Sequence, residues 1–122
     1  MSDEFAIYPS LRDRVVFVTG GGSGIGAAEV SQFAAQGARV AFVDIADEPA
    51  RVLVKRLKEQ GRPEPFFQHC DLTDIGALRA AIAEVGRTLG PITVLVNNAA
   101  NDQRHKWQDM TPEYWDERMA VN

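Results

Sequence analysis

Cysteine is nearly absent. Cys70 is the sole one in 122 residues, which excludes an internal disulfide and accords with a reducing, cytoplasmic setting. No apolar run approaches the length needed to cross a bilayer. The opening MSDEFAIYPS is acidic and polar, unlike a secretory signal. A cationic excess is missing too: the net charge is −4 and the basic residues are scattered. Neither nucleic acid nor a membrane is therefore an expected partner. His, Cys and Asp nowhere take metal-site spacing, so no metal is expected. Repeats, low-complexity tracts and internal linkers are also lacking. What remains is an ordinary globular composition, 45% hydrophobic and 25% charged, in a length that fits one domain.

Strand-like and helix-like segments alternate along that length. A β-branched apolar run over residues 14–19 is followed by a helical stretch over 24–36, and Gly37 stands where a C-cap glycine belongs. Residues 40–43 read as a second buried strand ending at Asp44, and 49–60 as a helix stopped by Gly61. Phe66 and Phe67 mark a short third strand. Thr73 is the expected cap of a helix carrying Ile75, Leu78, Ile82, Val85 and Leu89 on one side. Residues 92–96 form a fourth strand, and Thr111-Pro112-Glu113 opens a last helix. The alternation predicts an α/β fold, a parallel sheet with helices on both faces.

The strongest signal is VVFVTGGGSGIG at residues 15–26. A buried strand that ends in glycines and opens a helix builds a phosphate site, because small residues admit the pyrophosphate and the helix N-terminus offers free N–H groups. Two registers fit: the general G-x-G-x-x-A pattern from Gly22 to Ala27, and a longer turn from Thr19-Gly20 through Gly24 to Gly26. The second fits better, since the strand ends at Thr19 and no helix can start before Gly24. Gly20 then turns the chain, Gly24 clears the approach, Gly26 permits close packing and Ser23 offers a hydroxyl to phosphate. Ile25 lies in the same turn. Without a ligand the loop would be only a flexible turn, but the strand before it and the helix after it favour a cofactor.

Asp44 follows Gly26 by 18 positions and closes the second strand. An acidic side chain there accepts from both adenine-ribose hydroxyls and repels a 2′-phosphate, so NAD is expected rather than NADP. Ile45 follows it as a further cofactor-binding candidate. The competing reading is a solvated turn aspartate beside Asp47 and Glu48. His69 and Cys70 read as packing residues.

TGGGSGIG, Asp44, Asp71-Leu72 and LVNNA together resemble the short-chain dehydrogenase/reductase family over nearly the whole chain. The resemblance implies a partial Rossmann-type sheet in strand order 3-2-1-4. It places Asp71 and Leu72 at the adenine, and Asn98 with Ala99 along the cofactor cleft. Asn97 or its neighbour is to steady the sheet. The family writes NNAG, where this chain has Ala100. Finer segments, AIYPSL, DIADE, CDL, NDQRHK and YWDER–VN, resemble bacterial NAD-dependent aldose 1-dehydrogenases, which oxidise an anomeric carbon to a lactone. That branch implies a small-molecule substrate, a homo-oligomer (commonly a tetramer) and sugar-side contact by the polar tract 101–106, which from its residues alone reads as an ordinary solvated loop.

The family's chemistry needs a tyrosine base with lysine four residues on, and a serine. Here Tyr8 is followed at that spacing by Arg12 and Tyr114 by Arg118, and arginine is a poor substitute for the ammonium. The relay asparagine does match, at Asn122. Trp115, Met119 and Asn122 share one helical side that would aim its amide inward. Residues 1–122 are thus expected to be the NAD-binding portion of a longer enzyme, cut inside the family's fifth helix before the catalytic Ser, Tyr and Lys. By itself the portion is expected to be inactive. A non-catalytic NAD-binding or sensing module, or a family member acting on another alcohol or polyol, are the alternatives.

Overall fold

Four apolar residues and Thr19 form β1 (Val15–Thr19), buried along its whole length, as a parallel strand covered on both faces must be. The computed structural model describes residues 5–101 and 103–122. After β1 come α1 (Gly24–Ala35), β2 (Arg39–Asp44), α2 (Asp47–Glu59), β3 (Phe66–His69), α3 (Ile75–Leu89), β4 (Val94–Val96) and α4 (Pro112–Val121). Single 3-10 turns stand at Pro9–Leu11 and Trp107–Asp109. The strands pair in parallel in the order β3-β2-β1-β4, the α/β Rossmann-type arrangement expected.

Period-two alternation divides the core. Val16, Val18, Val40 and Phe42 pack with Val30 and Ala34 of α1 and with Ala50, Leu53 and Leu57 of α2. Val15, Phe17, Ala41 and Val43 face the other way, onto Ala81 and Val85 of α3 with Cys70. Each fully buried Val or Phe contributes about 1.5–3 kcal/mol. The chain moves one way across the sheet through β2 and β3, then returns past β1 to β4. Right-handed crossovers therefore put α1 and α2 on one face and α3 on the opposite one. That reversal opens a crevice beyond the carboxyl ends of β1 and β4, where open α/β sheets take ligands.

Several local expectations need correction. The cap of α3 is Asp74, whose side chain accepts from Ala77 N–H at 3.0 Å. Thr73 is otherwise engaged, because its hydroxyl and its N–H both donate to Asp71, at 2.7 and 2.9 Å. The buried side of α3 runs through Ala81 and Val85 with Ala77, Leu78 and Leu89 beside them. Ile75 and Ile82 stay exposed, since the small Ala81 seats the helix against the sheet. β4 is shorter than expected: Ile92 packs into the α3-side core ahead of it, and its single strand partner among the described residues is β1. Leu95, 60% exposed, lies on that open edge. In α4, Thr111 caps as expected, accepting from Tyr114 N–H at 3.1 Å. Trp115 and Met119 do not point inward; both are more than half exposed, because no described element covers that side. No helix among the described residues is long and apolar enough to cross a membrane.

Candidate cofactor cleft

The glycine turn adopts the longer of the two registers, with β1 ending at Thr19 and α1 beginning at Gly24. Gly20 and Gly24 take φ of 68° and 56°, left-handed values that cost little only for glycine. Gly26 is required for a different reason. A Cβ there would meet the Gly20 carbonyl oxygen at 2.0 Å and Asn98 Nδ2 at 2.6 Å. Ser23 is the cap residue of α1 yet makes no side-chain cap bond, which leaves its hydroxyl and the first-turn N–H groups of the helix unengaged among the described residues.

Above this turn lies a cleft of about 600 Å³ lined by Gly20, Ser23, Gly24, Ile25, Gly26, Asp44, Ile45, Asp71, Leu72, Asn98 and Ala99. All eleven residues proposed for the cofactor thus share one concave surface. Sequence reasoning did not single out Val43, Cys70, Ala100 and Val121 as lining residues, yet they complete it. The lining has two carboxylates and no cationic side chain. A phosphate bound there would rely on backbone N–H groups and the α1 dipole.

Asp44 is held by backbone on both oxygens. Oδ2 accepts from Gly22 N–H at 2.9 Å and Oδ1 from Ala46 N–H at 3.0 Å. Each oxygen keeps a further lone pair for a ligand hydroxyl. Asp71 has its carboxyl held below the usual range, first by the Thr73 hydroxyl and then by the Thr73 N–H. Stability linked to Asp71 is therefore present above the ordinary carboxylate pKa and is lost as pH falls through the depressed value. Thr73→Ala is expected to bring the Asp71 titration midpoint back up, as followed by NMR of its carboxyl carbon. An unmoved midpoint would show that the hydroxyl is not the cause. Cys70 is buried, as expected of a packing residue. Burial pushes its thiol pKa up, with Asp74 and Asp71 adding to the shift, so it stays protonated and unreactive. His69, by contrast, is not a packing residue; it is exposed and pairs with Asp47.

Thr19 carries a role the sequence reading passed over. It is buried, and its Oγ1 accepts from both Asn98 N–H and Ala99 N–H at 3.0 Å. Asn98 returns the contact, donating Nδ2 to the carbonyls of Thr19 and Gly20 at 3.1 Å. Asn98, rather than Asn97, therefore fastens the end of β4 to the glycine turn. A lone hydroxyl at the end of an apolar strand was the available signal. Asn122 is not in the cleft lining, which takes Val121 from α4. Its amide accepts from Asn101 N–H at 2.7 Å and donates to the Asn101 carbonyl at 3.1 Å. In the polar tract, Asp102 lies outside the described residues. Asn101 accepts from the Arg118 guanidinium, which lies 4.7 Å over the Tyr114 ring, and His105 Nδ1 is 2.8 Å from the Tyr114 hydroxyl. Asn101, Gln103 and His105 are thus held on α4.

A parallel sheet in this order, with a glycine turn under a cleft at its crevice, defines a dinucleotide-binding α/β protein. The family model for short chain dehydrogenase matches residues 14–122, and the chain belongs to that family, whose members use nicotinamide cofactors. It is 52% identical over 117 residues to D-xylose 1-dehydrogenase of Caulobacter vibrioides, which covers 96% of this chain and 45% of that protein. It is 53% identical over 115 residues to a probable galactose dehydrogenase of Rhizobium meliloti, covering 94% and 45%. A crystal structure of a short chain dehydrogenase from Mycobacterium smegmatis superposes with a TM-score of 0.87 at 30% identity, over 98% of this chain and 50% of the other. The chain spans about half the length of the relatives it matches.

Proposed function

We propose that residues 1–122 are the NAD-binding portion of a dehydrogenase that oxidises the anomeric carbon of an aldose to a lactone. In that reaction hydride leaves C1 for the nicotinamide and the anomeric hydroxyl gives up its proton to a base. The observation that carries the reading is the placement of Asp44 inside the same cleft as the glycine turn. With its oxygens anchored by Gly22 and Ala46 N–H groups, the carboxylate would receive the adenine-ribose hydroxyls and oppose a 2′-phosphate. Gly20, Ser23, Gly24, Ile25 and Gly26 would hold the pyrophosphate. Ile45, Asp71 and Leu72 would bound the adenine, while Asn98 and Ala99 would line the path toward the nicotinamide. The sugar assignment is supported by the names of the Caulobacter and Rhizobium relatives, each above half identity. Asn122, fixed on Asn101, would support a proton relay in the longer enzyme. The exposed Trp115 and Met119 of α4 accord with a homo-oligomer, and the lone thiol with the cytoplasm.

The test is calorimetric titration of the chain with NAD and NADP. Tighter binding of NAD is expected, and Asp44→Asn should weaken it about 10- to 100-fold, the worth of hydrogen bonds to a charged acceptor. Equal affinity for both dinucleotides in the unmodified chain would overturn the NAD assignment. D-xylose with NAD should yield no NADH absorbance from these residues, since neither Tyr8 nor Tyr114 has a lysine four positions on. Turnover would refute the view that the base lies elsewhere.

A further inference from the structure

Asp47 opens α2 without its side chain serving as a cap; Ala46 is the cap residue and makes no side-chain bond. The Asp47 carboxylate turns instead to β3, where Oδ1 lies 2.7 Å from His69 Nδ1. His69 closes β3 as the register partner of Asp44. The next N–H along, that of Cys70, donates to the Asp44 carbonyl at 3.1 Å. His69 therefore stands between two turns that both reach the cleft, Ile45 ahead of α2 and Asp71 with Leu72 ahead of α3. Its charge also helps hold the Asp71 carboxyl low. The groups facing it are Asp44 of β2, Asp47 and Arg51 of α2, and Asp71 beyond β3. Lys55, Lys58 and Glu64 lie farther along the same outer groove.

We propose that His69 and Asp47 are positioning residues for the adenosine end of the cleft. Their pair ties the β2–α2 turn to the end of β3 and so fixes the Ala46 N–H on which the Asp44 carboxylate rests. The inference depends on the reading of Asp44 as the ribose acceptor. Loss of either partner therefore loosens that turn and weakens binding of an adenosine-bearing ligand. The effect is modest, since the two side chains are 58% and 48% exposed and surface pairs are weak.

ADP-ribose is the probe, and its dissociation constant is measured by calorimetry on the full chain. His69→Gln and Asp47→Asn should each raise the constant about two- to fivefold, and the double variant no further than either alone, because both changes remove one contact. In an Asp44→Asn background His69→Gln should have no further effect, since the pair acts through that carboxylate. Unchanged affinity in either single variant, or losses that add in the double variant or in the Asp44→Asn background, overturn the proposal. Asp44→Asn separates the two levels of the argument. Unchanged affinity in that variant, or no ADP-ribose binding by the unmodified chain, removes the ribose site and the pair together. Weakened binding there, with unchanged affinity in His69→Gln, sinks the pair alone.

Discussion

Gly26→Ala should destabilise the fold by about 3 kcal/mol or more, a fall in Tm on the order of 10 °C. The added methyl would sit 2.0 Å from the Gly20 carbonyl oxygen and 2.6 Å from Asn98 Nδ2. Neither neighbour can retreat cheaply. The carbonyl belongs to the turn that leaves β1, and the amide is bonded to the Thr19 and Gly20 carbonyls. Relief would require α1 to move off the sheet, opening the core around Val30 and Ala34. Gly86→Ala in α3 is the matched control, because nothing lies within 4 Å of its Cβ position. That change should raise stability by about 0.5–1 kcal/mol through helix propensity. Denaturant unfolding of the two variants measures the contrast. Equal midpoints would show that the contact at Gly26 is not what demands glycine.

Thr19→Val keeps the shape of the side chain and removes its oxygen. Two N–H groups, of Asn98 and Ala99, then lose their acceptor beside a buried position. Each unsatisfied donor costs about 1–3 kcal/mol, so a loss of about 2–4 kcal/mol is expected. Thr19→Ser retains the oxygen and should lose about 1 kcal/mol, the worth of one buried methyl. The same pair of variants should separate in NAD affinity, with Val the weaker, because the residues released from Thr19 line the cleft. Matching stabilities for Val and Ser would mean that packing, not hydrogen bonding, joins β1 to β4.

Much of the cleft is legible in the sequence, and the reason is local. Strand, glycine turn and helix follow one another within residues 15–35, so periodicity and turn chemistry report them directly. Asp44 was readable because it ends a strand that alternates with helices, and strand ends on one side of a parallel sheet converge. Local signals misled where two residues competed for one job. Thr73 and Asp74 both suit a helix cap, and Thr73 lost because Asp71 engages it. His69 looked like a strand residue facing the core, whereas it caps the sheet edge and pairs outward.

By itself the sequence determined the fold class, the register of the glycine turn and the acidic end of β2, since each depends on neighbours within a few turns of chain. Tertiary structure alone decided why Gly26 must be glycine, that Thr19 and Asn98 hold each other across 79 positions, and that Asn122 spends its amide on Asn101. It also set His69 against Asp47. Those contacts join segments remote in sequence, and their partners are fixed only when parallel strands bring the chain's separate turns to one edge of the sheet.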